Sequence, residues 1–196
     1  MKYVIGIDEV GRGPLAGPVC VVAVAIEKKI YKSTLRKFKG LKDSKKTSES
    51  LREECLKKID RLSKSIFYSV SFVGNSLIDK KGIVWGIETA LSRSLHKLSL
   101  QPGECEVLLD GSLKAPKEFK NQRTIIRGDE KEKIIAMASI VAKVFRDNHM
   151  KHQAKIFPLY GFEKHKGYGT KEHIRKIRKY GASDIHRKSF LKNLKF

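Results

Sequence analysis

A short apolar run at residues 3–7 stops at two adjacent carboxylates, Asp8 and Glu9. A turn dense in glycine then leads into a second, valine-rich run at residues 18–26. Two apolar runs joined by such a return, at residues 11–17, are predicted to be neighbouring strands of one sheet. Carboxylates at a strand tip are suited to hard divalent cations. Glycines beside them let a backbone come close to a bound ligand.

The charge balance indicates what that ligand is. Lys and Arg total 42 against 21 Asp and Glu, a formal charge of +21. Such an excess points to a polyanion, either nucleic acid or an anionic membrane surface; a lysine-rich solvated surface is the bland alternative. At 196 residues the chain can bury a proper core, in one domain with at most a small appendage. Cys20, Cys55 and Cys105 are widely spaced and form no CxxC, so free thiols in a reducing compartment are expected. Lys2 runs straight into a strand-like segment, which does not read as a signal peptide. The longest apolar run, residues 19–26, is too short to cross a bilayer. A soluble cytoplasmic monomer without membrane contact is the expectation.

Further along, residues 42–46 read as a basic loop, and Thr47 or Ser48 as the cap of a helix with the stripe Leu51, Cys55, Ile59 and Leu62. Residues 66–73 alternate as a third strand. A long helix is predicted over 75–98, with Val84, Ile87, Leu91 and Leu95 on one face, closed by Pro102 and Gly103. Residues 106–110 and 123–127 are predicted strands. Asp129 then opens a helix with Ile134, Met137, Ile140, Val141 and Val144 inward, ended by Pro158. The remainder is basic, with interleaved aromatics and a helix near 170–180. This order describes an α/β domain with a mixed sheet.

Asp8 and Asp110 both end apolar strands; if those strands are parallel neighbours, their tips bring the two carboxylates to one edge. Side chains alternate along a strand, so Asp8 and Glu9 cannot both face the site in ideal geometry. Asp129 follows the fifth strand, where it also reads as a helix N-cap with Glu132 three residues on; capping and metal contact need not exclude each other. Carboxylates gathered in this way repel one another unless cations intervene. A pair of Mg²⁺ or Mn²⁺ ions would remove the repulsion and supply the chemistry of phosphodiester hydrolysis. Asp147 is no further ligand, since a continuous helix would place it about 27 Å along the axis from Asp129; an ion pair with a nearby Arg or Lys is expected instead. Gly11-Arg12-Gly13 with Gly17 mimics a dinucleotide loop only loosely, because Asp8 and Glu9 would repel a pyrophosphate. Ser44, Lys45 and Lys46 are candidate phosphate contacts. His165, His173 and His186 lack metal-ligand spacing and are expected to make structural hydrogen bonds. Tyr160 and Phe162 are expected in the core, and Tyr168, between glycines, exposed.

These blocks are similar to the signatures of one family. Ile7-Asp8-Glu9-Val10-Gly11-Arg12-Gly13-Pro14, Leu41-Lys42-Asp43-Ser44-Lys45-Lys46, Leu109-Asp110-Gly111 and Gly128-Asp129-Glu130-Lys131 resemble ribonuclease HII. So do Ala138-Ser139-Ile140-Val141-Ala142-Lys143-Val144-Phe145-Arg146-Asp147, Lys166-Gly167-Tyr168-Gly169-Thr170, and Ile185-His186-Arg187-Lys188-Ser189-Phe190. Seven blocks in sequence order span residues 4–190.

The resemblance implies a ribonuclease H-like fold with a mixed five-stranded sheet flanked by helices. Residues 1–158 would be the catalytic domain, and residues 159–196 a small basic C-terminal helical segment packed on it and contributing to the substrate groove. It implies metal-dependent hydrolysis of RNA in RNA–DNA hybrids, and incision 5′ to single ribonucleotides in duplex DNA, leaving 3′-hydroxyl and 5′-phosphate ends. Asp8, Glu9, Asp110 and Asp129 match the catalytic, metal-binding carboxylates. Gly11, Arg12 and Gly13 match the reader of the ribose 2′-hydroxyl, the one group that distinguishes RNA from DNA at a site. Tyr168 matches the residue that packs on the following deoxyribose. Gly82 stands where the family commonly has asparagine. A non-catalytic basic nucleic-acid binder would explain the charge but not the carboxylates. Another nuclease of the same fold, such as a resolvase, would explain the carboxylates but not Gly-Arg-Gly.

Overall fold

The structure is a computed structural model, described here for residues 1–38, 41 and 47–192. Its centre is a five-stranded sheet built from β1 (Tyr3–Val10), β2 (Val19–Glu27), β3 (Ile66–Val73), β4 (Cys105–Asp110) and β5 (Gln122–Ile125), in the order β3-β2-β1-β4-β5. The β1–β2 and β2–β3 pairs are antiparallel, and the β1–β4 and β4–β5 pairs are parallel. The helices are α1 (Tyr31–Arg36), α2 (Glu49–Arg61), α3 (Asn75–Lys81), α4 (Ile83–Lys97), α5 (Gly128–Lys131), α6 (Lys133–Ile156), α7 (Phe162–His165), α8 (Lys171–Tyr180) and α9 (Lys188–Leu191).

The continuous apolar sequence of β2 follows from burial on both faces. One face of the sheet, with Ile5, Ile7, Val21, Ala23, Val107 and Leu109, packs on Ile87, Ala90, Leu91 and Leu95 of α4. The other, with Val4, Val22, Val24, Ile26 and Leu108, packs on Ile134, Met137, Ala138 and Val141 of α6 and on Ile59 of α2. Each such Val, Ile or Leu contributes about 1.5–3 kcal/mol through removal from water. Gly6 lets α6 lie against β1: a Cβ there would meet the Ile134 backbone at 2.6 Å. The C-terminal segment shares a third cluster with α6, in which Tyr160 and Phe162 join Ala16, Met150 and Ala154. Among the described residues, no helix is long and apolar enough to cross a membrane.

Several elements depart from the expectations. β1 continues through Val10, because residues 8–10 keep pairing with β2 after the pairing with β4 has ended. The helix expected over 75–98 is two helices, broken at Gly82, whose φ of +89° and ψ of 159° suit glycine almost alone. Val84, placed on the inward stripe, is exposed. So is Leu51: α2 turns Arg52 inward to an ion pair with Asp147, while Cys55, Ile59 and Leu62 pack inward as expected. β5 ends at Ile125, and Arg127 takes a left-handed conformation that starts the one-turn α5. Asp129 therefore lies in a separate short helix and does not cap the long one; Glu132 occupies the N-cap of α6.

Candidate active site

The last parallel pair of β1 and β4 is Ile7 with Leu109, so Asp8 and Asp110 come next at adjacent tips. Alternation fixes their direction. Val4 and Leu108 belong to the face covered by α6, and Asp8 and Asp110, an even number of residues further, share it. Glu9 falls on the α4 face with Ile5 and Ile7. The strand carboxylates are thus divided, Asp8 and Asp110 toward α6 and Glu9 away.

Asp8 is buried, and its neighbours are specific. Ser139 of α6 hydrogen-bonds its side chain, and the Glu9 amide donates to Oδ1 at 2.8 Å. Burial raises the Asp8 pKa well above the ordinary carboxylate value, and the negative charges of Glu9 and Asp110 raise it further. Asp110 accepts a 2.6 Å hydrogen bond from the amide of Gly128. That bond ties the tip of β4 to the start of α5, where Asp129 is buried. A Cβ at Gly128 would meet the tip of Ile135 at 2.6 Å and Asp110 Oδ1 at 3.2 Å, so the glycine leaves room for the Asp110 carboxylate. Glu9 lies 3.9 Å from the guanidinium of Arg12. A recess of about 300 Å³ opens beside Arg12, lined also by Glu88, Ser112 and Lys114.

The donor chemistry fits a divalent cation. All the donors are hard oxygens on sheet tips or a short helix, and Asp8 carries an electrostatic penalty that a cation would remove. As the side chains stand, no three His, Cys, Asp or Glu residues among the described ones form a group that could hold an ion.

The turn after β1 is held from behind by two buried arginines. Gly11 has φ +92°, and a Cβ there would lie 2.2 Å from Arg146 Nε. Arg146 donates to the carbonyls of Pro18, Lys166 and Ala16, and Arg187 to those of Gly11, Arg12 and Gly17. Burial lowers the pKa of both, yet Arg187 stays well above neutrality, at about 9. Gly13 is exposed and nothing lies within 4 Å of a Cβ built on it, so its backbone is open to a ligand.

Tyr168 is 40% exposed. The Arg146 guanidinium lies 5.6 Å and the Lys143 ammonium 6.0 Å from its ring centre. The Leu15 amide donates to the Gly167 carbonyl at 2.8 Å, which joins the Tyr168 segment to the turn. Lys143 also pairs with Asp147 at 2.8 Å, and Arg52 lies 3.7 Å from the same carboxylate, so Asp147 is an ion-pair partner as expected. Ser44, Lys45 and Lys46 lie outside the described residues.

Ser139, Gly128, Arg146 and Arg187 were given no role from the sequence. Gly128 beside Asp129 and Ser139 in an otherwise apolar helix face were the available signals. The arginines offered none, because in so basic a chain they read as solvated charge.

Comparison with known proteins gives the family and the fold. The family model described as Ribonuclease HII matches residues 5–193. A ribonuclease HII of Caldicellulosiruptor bescii is 45% identical over 193 residues, covering 98% of this chain and 88% of its own. In a solved PCNA:RNase HII complex from Archaeoglobus fulgidus, the matching chain superposes with a TM-score of 0.75 at 24% identity, over 99% of this chain and 96% of that one. A Bst-RNase HIII solved in complex with Mn²⁺ has a TM-score of 0.65 at 21% identity, over 91% of this chain and 63% of its own. At these identities the two structural likenesses concern the fold.

Proposed function

The chain belongs to the ribonuclease HII family, endonucleases on RNA–DNA hybrids, and from that premise we propose that it also incises duplex DNA 5′ to single embedded ribonucleotides by two-metal-ion chemistry. The observation that carries this reading is Asp8 beside Asp110 at adjacent parallel tips, with Asp8 buried against like charge. Asp8, Glu9, Asp110 and Asp129 would hold Mg²⁺ or Mn²⁺. Bound there, the ions supply activation of the attacking water and neutralisation of charge on the leaving oxygen.

The chain's own residues supply recognition. Gly13 offers an unobstructed backbone to the ribose 2′-hydroxyl, and the carbonyls of Gly11 and Arg12 are fixed by Arg187, so the turn meets its ligand already ordered. Recognition through backbone atoms is independent of base identity. The Tyr168 face packs on the next sugar, where a further hydroxyl would be disfavoured. Lys45 and Lys46, with Ser44, contact phosphates, as does the basic C-terminal segment, residues 159–196. The protein works as a cytoplasmic monomer in removing ribonucleotides from DNA.

Three matched duplexes test this: one with a single ribonucleotide, one RNA–DNA hybrid and one all-DNA, each with Mg²⁺, Mn²⁺ or chelator. The expected result is one nick 5′ to the ribonucleotide and multiple cuts in the hybrid, both abolished by chelator. Cleavage of the all-DNA duplex at a similar rate would exclude 2′-hydroxyl reading.

A further inference from the structure

Three buried histidines lie behind Tyr168, and any role for them in selectivity rests on Tyr168 packing against the deoxyribose as proposed. The Ser183 amide donates to His186 Nδ1 at 2.9 Å. A backbone N–H can only donate, so the network assigns the His186 proton to Nε2. That atom lies 3.0 Å from His173 Nε2, which must accept. His173 therefore carries its own proton on Nδ1, 2.9 Å from the Tyr168 carbonyl. The same logic applies to His165, which accepts from the Gly167 amide at Nδ1 and donates from Nε2 to the Tyr160 carbonyl.

The chain of bonds has direction and two anchored ends. At one end, His186 bridges Ala16, and the Arg187 amide donates to the Leu15 carbonyl at 2.8 Å, within the turn that follows Gly11 to Gly13. At the other end is the peptide of Tyr168, whose amide donates to the His165 carbonyl at 2.9 Å.

We infer that His173, oriented by His186, is a positioning residue: it fixes the Tyr168 backbone relative to the glycine turn and so tunes selectivity for a ribonucleotide–deoxyribonucleotide step. The relay works only with both rings neutral, since a proton added at His173 Nε2 would meet the one His186 already directs there. Burial keeps both near a pKa of about 4. The ring of His165 stacks on His173 at 4.2 Å, and the edges of Phe162 and Tyr160 close the cluster. The charged groups acting on His165 are Glu172, Lys176 and Glu163.

Two conservative variants separate the bonds. His173→Asn keeps a donor where Nδ1 stands, and His173→Gln keeps a polar partner for His186 but loses the donor to Tyr168. For each, kcat/KM is measured on a duplex with one ribonucleotide and on a continuous hybrid, and the ratio is compared with the parent and in a Tyr168→Ala background. His173→Gln is expected to lower the ratio about tenfold, the worth of one buried hydrogen bond. His173→Asn retains most of it, and with Tyr168 replaced His173→Gln has no further effect. Equal loss on both substrates, or the same loss without Tyr168, overturns the inference alone. A ratio indifferent to Tyr168→Ala overturns the reading of Tyr168 and the inference with it.

Discussion

Arg187 donates from Nη2 to the carbonyl of Gly11 across 2.6 Å, and the same guanidinium holds the carbonyls of Arg12 and Gly17 at 3.0 and 2.9 Å. One buried fork thus orders the turn proposed to read the 2′-hydroxyl. Lysine offers a point charge and cannot span three acceptors. Arg187→Lys is expected to cost about 2–4 kcal/mol of stability through the bonds it loses. It should also lower cleavage at a single ribonucleotide more than cleavage of a generic hybrid. Thermal melts and steady-state kinetics on the two substrates check this; an unaltered melt and unaltered selectivity would show that the fork is dispensable.

Asp8 combines burial with the charges of Glu9 and Asp110. Replacing it by asparagine removes a destabilising charge and a proposed metal ligand together. In chelator, Asp8→Asn should melt at a higher temperature than the parent. Added Mn²⁺ should raise the parent's melting temperature by linkage and leave the variant's largely unmoved. Cleavage should fall about 10³-fold, the loss of several kcal/mol of transition-state stabilisation. A variant that melts lower in chelator, or cleaves as the parent does, contradicts the role given to Asp8.

Histidine burial sets an acid limit on stability. His173 and His186 have native pKa values of about 4 against about 6.5 when unfolded. The unfolded chain therefore takes up protons first, and stability that is complete above about pH 6.5 declines as pH falls toward 4. The slope is at most about 1.4 kcal/mol per pH unit for each imidazole. Asp8, with its raised pKa, acts in the opposite sense over acid pH, so the comparison must be with a variant. Denaturant unfolding at pH 7 and pH 5 should lose less stability in His186→Gln than in the parent; equal losses would mean that these imidazoles do not set the limit.

Gly82 separates α3 from α4 at φ +89°, with nothing within 4 Å of a Cβ built there. Gly82→Ala should therefore destabilise through backbone strain alone, by about 1–3 kcal/mol. Calorimetric or denaturant unfolding measures it. An alanine variant as stable as the parent would mean that the break adapts at no cost.

β1, β2 and β4 were legible because they are largely buried on both faces and their apolar runs end in carboxylates, and β3 because its residues alternate. The placement of Asp8 and Glu9 on opposite faces followed from alternation alone. The break at Gly82 was not legible, since apolar spacing continues across it and only backbone torsion shows that two helices are present. Asp129 looked like a cap because Asp and Glu132 have capping spacing, but the left-handed Arg127 starts a separate turn there. Arg52, Arg146 and Arg187 were hidden for a compositional reason. In a chain of net charge +21, nothing local distinguishes an arginine that binds buried carbonyls or a buried carboxylate from one in solvent.

Whether these carboxylates gather around divalent ions is decided most directly by diffraction from crystals soaked in Mn²⁺, with anomalous data collected at the manganese edge. The expected result is anomalous density between Asp8 and Asp110, with Asp129 and Glu9 drawn toward it, absent from Asp8→Asn crystals treated alike. Manganese bound only elsewhere, or no density between those two aspartates in an active preparation, contradicts it.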